Sequence, residues 1–166
     1  MTDALLPATL QDRAAALLDA CRAKRITLAT AESCTGGLIA AALTAIAGSS
    51  DVVECGFVTY SNAAKMRMLG VAPTLLASHG AVSEPVARAM AEGALAQSGA
   101  GRSIAVTGIA GPGGGSAEKP VGLVWFARAG AGMPTIAEHR ILPGDRTDVR
   151  EATVLHALAM LAAGLD

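Results

Sequence analysis

Aromatic residues are nearly missing from this chain: one Trp, one Tyr and two Phe among 166 residues. A core without large rings has to be filled by Ala, Leu, Val, Ile and Met, and small side chains let elements approach closely. Cysteine is scarce as well. Cys21, Cys34 and Cys55 are odd in number and form no CxxC pair, which speaks against a disulfide framework or a structural zinc site and fits a reducing cytoplasm. Charge is balanced, with 13 Lys and Arg against 14 Asp and Glu and a net charge of -1. No basic face is expected, and so no nucleic-acid partner.

Long apolar runs are also lacking. Thr44, Gly48 and Glu54 interrupt them well short of the roughly 18 residues that a membrane-spanning helix needs, so no membrane partner is expected. The first residues include Asp3 and no basic stretch ahead of an apolar one, which gives no sign of a cleaved leader. His156 reads as isolated in the last helix, His79, His139 and His156 share no metal-ligand spacing, and neither a metal nor another cofactor is expected.

What is present is an alternation of short apolar runs and helical patterns. Leu10, Ala14, Leu17, Leu18 and Cys21 recur at helical spacing over 7–23, ahead of an apolar strand at 26–31. A helix over 36–47 closed by Gly48, a loop at Ser49–Asp51 and a strand over 52–60 follow, with Gly56 marking a bulge or a close approach. Ser61 and Asn62 offer caps for a helix over 63–69, and a short helical piece spans 73–78. Ser83 is placed to cap a helix reaching about Gln97.

The second half reads as a central strand at 103–107, a glycine-rich loop at 108–120, a buried strand at 121–128 and an edge strand at 136–142. Asp145 or Thr147 caps a last helix with Val154, Leu158, Leu161 and Leu165 on one stripe. Helices between the early strands and a short connection between the last two predict an α/β class. The expected architecture is a single three-layer α/β/α domain over residues 1–166 with a mixed, mostly parallel sheet.

Chemistry concentrates at Thr30–Gly37, where a carboxylate, hydroxyls and a thiol precede two glycines. Ser33 at this strand-to-helix turn is either a plain helix cap or a nucleophile facing open space, with backbone N–H groups nearby for an oxyanion. Cys34 is either a competing nucleophile or a small core residue. Lys65 follows the next strand, at the edge where ligands gather in open α/β sheets. It is either an exposed helix lysine or, if desolvated, a base able to take the serine proton.

Tyr60 either orients that pair or ends its strand with its hydroxyl at the rim. Gly108–Ser116 is a linker or an anion-binding nest; it lacks the Gly-Lys-Ser/Thr of a P-loop, and Ser116 stands where a dinucleotide fingerprint needs glycine. Arg146 is a solvated helix-opening residue or a phosphate clamp.

Ala-Glu-Ser-Cys-Thr-Gly-Gly at 31–37, Thr-Tyr-Ser-Asn-Ala-Ala-Lys at 59–65 and the Gly-rich segment 106–122 together resemble the CinA carboxy-terminal family. Gly-Ala-Val-Ser-Glu at 80–84 and Gly-Asp-Arg at 144–146 match it too. The resemblance implies a metal-independent amidohydrolase that converts nicotinamide mononucleotide to nicotinate mononucleotide and ammonia in pyridine nucleotide salvage. It implies Ser33 as nucleophile, Lys65 as base and Tyr60 as assistant, and a homo-oligomeric assembly with a small-molecule nucleotide as substrate.

The expected oxyanion donors are the amides of Cys34, Thr35 and Gly36. Phosphate and ribose contacts are assigned to Thr107, Gly108, Gly111, Gly113, Gly114 and Arg146. Ala63 stands where the family usually has Glu, and Ala47 where Pro is frequent. Many members carry a further amino-terminal domain resembling molybdopterin-binding proteins; its motifs are not found here, so no pyrophosphatase activity is expected. A non-catalytic nucleotide-binding or partner-binding module, linked to competence or DNA damage, is the alternative.

Overall fold

A computed structural model describes residues 6–165; Asp3, on which the reading against a leader rests, lies outside the described residues. The elements are α1 (Ala8–Lys24), β1 (Leu28–Glu32), α2 (Leu38–Thr44), a 3-10 turn (Ser49–Asp51), β2 (Val53–Val58), α3 (Asn62–Leu69), α4 (Pro73–His79), α5 (Glu84–Ser98), β3 (Arg102–Gly108), β4 (Leu123–Gly130), β5 (Met133–Ile141) and α6 (Arg146–Ala162).

The strands form one sheet in the order β2-β1-β3-β4-β5. β1 pairs in parallel with β2 and β3, while β4 runs antiparallel to both its neighbours. Four strands therefore share a direction and β4 alone opposes it, which makes the sheet mixed and mostly parallel. The parallel pairs need helical crossovers, whereas β4 and β5 need only a tight turn. All five positions of β1 are buried, as a parallel strand covered on both faces requires.

Two apolar layers sandwich the sheet. On one face α1, α2 and α6 gather Leu17, Leu18, Ile39, Leu43, Ile104, Phe126, Leu158 and Leu161. On the other, α5 with α3 and α4 covers Ala31, Ala105 and Ala127 with Leu69, Val86 and Met90. Burying each Leu, Ile, Phe or Met contributes about 1.5–3 kcal/mol relative to exposure. The last-helix stripe of Val154, Leu158, Leu161 and Leu165 lies inward throughout.

Three local expectations change. α2 ends at Thr44, and Gly48 opens the 3-10 turn rather than closing α2. Ser83 stands at the start of α5, but its hydroxyl donates back to Gly80 O at 2.8 Å instead of accepting from the helix. His156 is not isolated: it bonds Glu138 and meets Phe126 edge-on. Gly56 marks a close approach, because a Cβ there would sit 3.0 Å from Thr30 Oγ1 and 3.2 Å from Ala40 Cβ. Asp145 caps α6, accepting from the Thr147 and Asp148 amides while Asp148 bonds back.

Candidate active site

The site forms at the carboxyl ends of β1, β2 and β3, where the connection leaving β1 turns before α2. Ser33 follows β1 and is tied to β3 by its N–H on Val106 O at 3.1 Å. Lys65 is in the first turn of α3, directly after β2. Because β1 and β2 are hydrogen-bonded neighbours in parallel, the two segments leaving them lie side by side. Ser61 fixes the start of α3, its hydroxyl accepting the Ala64 N–H at 3.1 Å.

Lys65 is 1% exposed, and its Nζ stands 2.9 Å from Ser33 Oγ and 2.9 Å from Thr59 O. Both neighbours are neutral oxygen atoms, and among the described residues no carboxylate pairs with the ammonium. Burial lowers the Lys65 pKa from its ordinary 10.5, against a smaller opposing pull from Cys34. Ser33 is not a helix cap: Gly37 occupies that position for α2, with φ of 102° that glycine adopts freely. The alternatives left open by the sequence therefore resolve into a buried serine–lysine pair.

Cys34 is buried, and burial pushes its thiol up to about 11. A protonated thiol is a poor nucleophile, which weighs against Cys34 in that role.

A cavity of about 310 Å³ opens over the pair. Ser33, Cys34, Tyr60, Lys65, Thr107, Gly108, Gly111, Gly113, Gly114 and Arg146 all line it. Thr35 and Gly36 do not. The Thr35 side chain is fully buried, its hydroxyl donating to Glu32 at 2.6 Å, and the Gly36 N–H is spent on Ser33 O at 3.1 Å. Gly36 is thereby removed as an oxyanion donor.

Tyr60 is exposed, at 61%, and its hydroxyl accepts from Arg146 at 3.0 Å; no hydrogen bond joins it to Ser33 or Lys65. It sits at the rim because β2 ends at Val58 and the chain leaves the sheet there. The Thr107 hydroxyl, facing the same cavity, donates to Ala81 O at 2.8 Å.

The glycine loop is no free linker. Arg146 donates to Gly111 O at 2.8 Å, the Ile109 N–H bonds Leu123 O and the Gly122 N–H bonds Ile109 O. Arg146 thus ties the loop to Tyr60 across the cavity mouth, with its guanidinium exposed to an incoming anion. Among the described residues no group of three His, Cys, Asp or Glu side chains converges.

Sequence reasoning missed Asn62, which lines the cavity one turn before Lys65 on the same face of α3, and Val82 and Ile109, which lie within the quoted segments 80–84 and 106–122 but were given no role there. It also missed Glu32, whose position in the same turn as Ser33 was the available signal.

The profile described as the CinA C-terminal domain matches residues 10–165. A CinA-like protein of Mycolicibacterium gilvum is 54% identical over 158 residues, 95% of this chain and 36% of that protein. One of Akkermansia muciniphila is 56% identical over 133 residues, covering 80% of this chain and 32% of its own length. The chain spans about a third of the length of the curated relatives it matches. Among solved structures, the competence/damage inducible protein CihA of Agrobacterium tumefaciens superposes with a TM-score of 0.93 at 51% identity, over 96% of this chain and 98% of its own.

Proposed function

We propose that this chain, which belongs to the CinA C-terminal domain family, hydrolyses the carboxamide of nicotinamide mononucleotide to give nicotinate mononucleotide and ammonia. The observation that carries the chemistry is the buried Lys65 Nζ 2.9 Å from Ser33 Oγ on the floor of an open cavity. The substrate is the one the family resemblance implies. The cavity volume is of the order of a small ligand pocket, and Arg146 with the glycine loop at its mouth suits a phosphate.

In the reaction, neutral Lys65 takes the Ser33 hydroxyl proton as Oγ bonds the carboxamide carbon. The tetrahedral oxyanion collapses as Lys65 hands its proton to the departing nitrogen, releasing ammonia and leaving an ester on Ser33. Water then attacks the ester while Lys65 accepts a proton from it. Lys65 returns that proton to Ser33 Oγ, and the carboxylic acid so formed gives its remaining proton to solvent and leaves as a carboxylate. Thr59 O orients the lysine throughout. A homo-oligomer is what the family resemblance implies, and exposed Met133, Ile136 and Ile141 on the edge strand offer apolar surface for it.

The test is ammonia release from nicotinamide mononucleotide with identification of the product. Turnover in the wild type, and loss of at least about 10³-fold in Lys65→Arg, are expected, since arginine keeps the charge but cannot act as a base. Nucleotide binding without any ammonia release would instead favour a non-catalytic module.

A further inference from the structure

We infer that Glu32 is a positioning residue for the oxyanion: it occupies the start of α2 so that the Cys34 N–H is left to the substrate. The inference rests on the Ser33 acyl-transfer mechanism proposed above. A helix N-terminus presents amides that ordinarily go to a capping side chain or to an anionic ligand. At α2 the capping position is Gly37, which has no side chain to offer. Glu32, five residues earlier at the end of β1 and 0% exposed, supplies the missing oxygen atoms.

Its Oε2 accepts the N–H groups of Gly37 and Ile39, each at 3.0 Å, and its Oε1 accepts that of Ala40 at 2.9 Å. The Thr35 hydroxyl adds a fourth donor at 2.6 Å, and Thr30 Oγ1 lies at 3.4 Å. A carboxylate so surrounded is held as an internal anion in the place a ligand anion would take. The substrate's developing charge therefore cannot use the α2 amides.

The same bonds fix the turn that carries the nucleophile. Thr35 is held by its hydroxyl on Glu32 and by its carbonyl, which accepts from Arg150 at 2.9 Å. Ser33 N–H goes to Val106 O, Gly36 N–H to Ser33 O and Gly37 N–H to Glu32. Within 33–37 only the N–H groups of Cys34 and Thr35 have no oxygen acceptor among the described residues, the Cys34 N–H meeting only its own thiol, and of these two residues only Cys34 lines the cavity. A donor left unpaired beside the nucleophile is placed to meet an oxygen that becomes an anion in the reaction. Glu32 does not touch that oxygen. It acts through the turn, with Arg150 bracing the opposite side of Thr35.

Pyridine-3-boronic acid separates this role from simple scaffolding. Its boron accepts an oxygen lone pair of Ser33, whose proton passes to Lys65, and the resulting tetrahedral boronate places an oxygen where the oxyanion forms. Three readouts are compared for wild type, Glu32→Gln and Thr35→Val: boronate affinity, kcat against KM, and Tm. Glu32→Gln replaces one acceptor oxygen by an amide group that faces donors, and Thr35→Val removes one donor at constant shape.

The expected result is boronate binding weakened about 10²-fold in Glu32→Gln and about tenfold in Thr35→Val, with kcat falling in parallel and KM within about threefold. Thr35→Ser, which keeps the hydroxyl, restores both. If Glu32→Gln does not fold, the Thr35 pair decides. Unchanged boronate affinity in the folded variants, or a loss confined to Tm, overturns the inference while leaving the Ser33 mechanism standing. A wild type that forms no Ser33-dependent adduct overturns both.

Discussion

Lys65 is the side chain with the most at stake at this site. It is 1% exposed, its hydrogen-bonded neighbours are the neutral oxygen atoms of Ser33 and Thr59, and burial draws its pKa down from 10.5. Between the lowered folded pKa and 10.5 the unfolded chain binds more protons than the folded one. Stability of the wild type therefore rises with pH across that window, and protonation at lower pH works against the fold. Lys65→Met should melt higher than wild type at neutral pH, by about 2–4 °C for each kcal/mol relieved, with the gain shrinking as pH climbs toward 10.5.

Under the proposed mechanism the same proton sets activity: kcat/KM should rise with pH along an acid limb lying below 10.5. A melting difference independent of pH would show that Lys65 is buried without being destabilised. At this scale the sequence was informative where a residue type has few uses. Ser33 and Lys65 stood out because a nucleophile and a base followed neighbouring strands. Glu32 did not, since a glutamate at a strand end reads equally well as solvated, and only the three-dimensional turn shows its donors. The sequence leaves Tyr60 open between orienting the pair, the role the resemblance implies, and ending at the rim; the end of β2 at Val58 carries it to the rim and to Arg146.

Among the elements, α3 matters most because it delivers Lys65, and α5 holds it in place. Gly93 of α5 lies against the last turn of α3, where a Cβ would sit 2.0 Å from Leu69 O. Backbone cannot yield as a flexible side chain does, so the two helices would have to separate. Gly93→Ala should cost about 1–3 kcal/mol of stability by overpacking and lower kcat as Lys65 moves off Ser33. Thermal unfolding with ammonia release measures both; a variant with wild-type Tm and wild-type kcat would show that this contact does not position Lys65.

Helix periodicity announced α1 and α6 from their apolar stripes, and candidate cap residues announced α3 and α5. Ends were harder to read where tertiary partners replace local signals. α2 is capped by a residue from the preceding strand, and Ser83 turns its hydroxyl toward Gly80, so neither end follows local capping preferences. The glycine loop could not be told from a linker by composition, because its rigidity comes from Arg146, far along the chain.

The whole molecule explains why so few aromatic residues suffice. Ala31, Ala105 and Ala127 let α5 approach the sheet closely, and the opposite layer is filled with Leu, Ile and Val around a single buried Phe126. The alternation of strands and helices was enough to foresee a mixed α/β sheet. The strand order, with β1 central in the parallel half and β3 joining it to β4, depends on long-range pairing and became visible only in the fold. That order sets Ser33 between the ends of β2 and β3, beneath the loop that leaves β3.

The central claim is that this junction is an acylation site with Ser33 as nucleophile. It is tested most directly by measuring nicotinamide mononucleotide binding and ammonia release side by side in wild type and Ser33→Ala. The expected outcome is affinity within a few fold in the variant and ammonia release slower by at least about 10³-fold. Ammonia release by folded Ser33→Ala at the wild-type rate would contradict it.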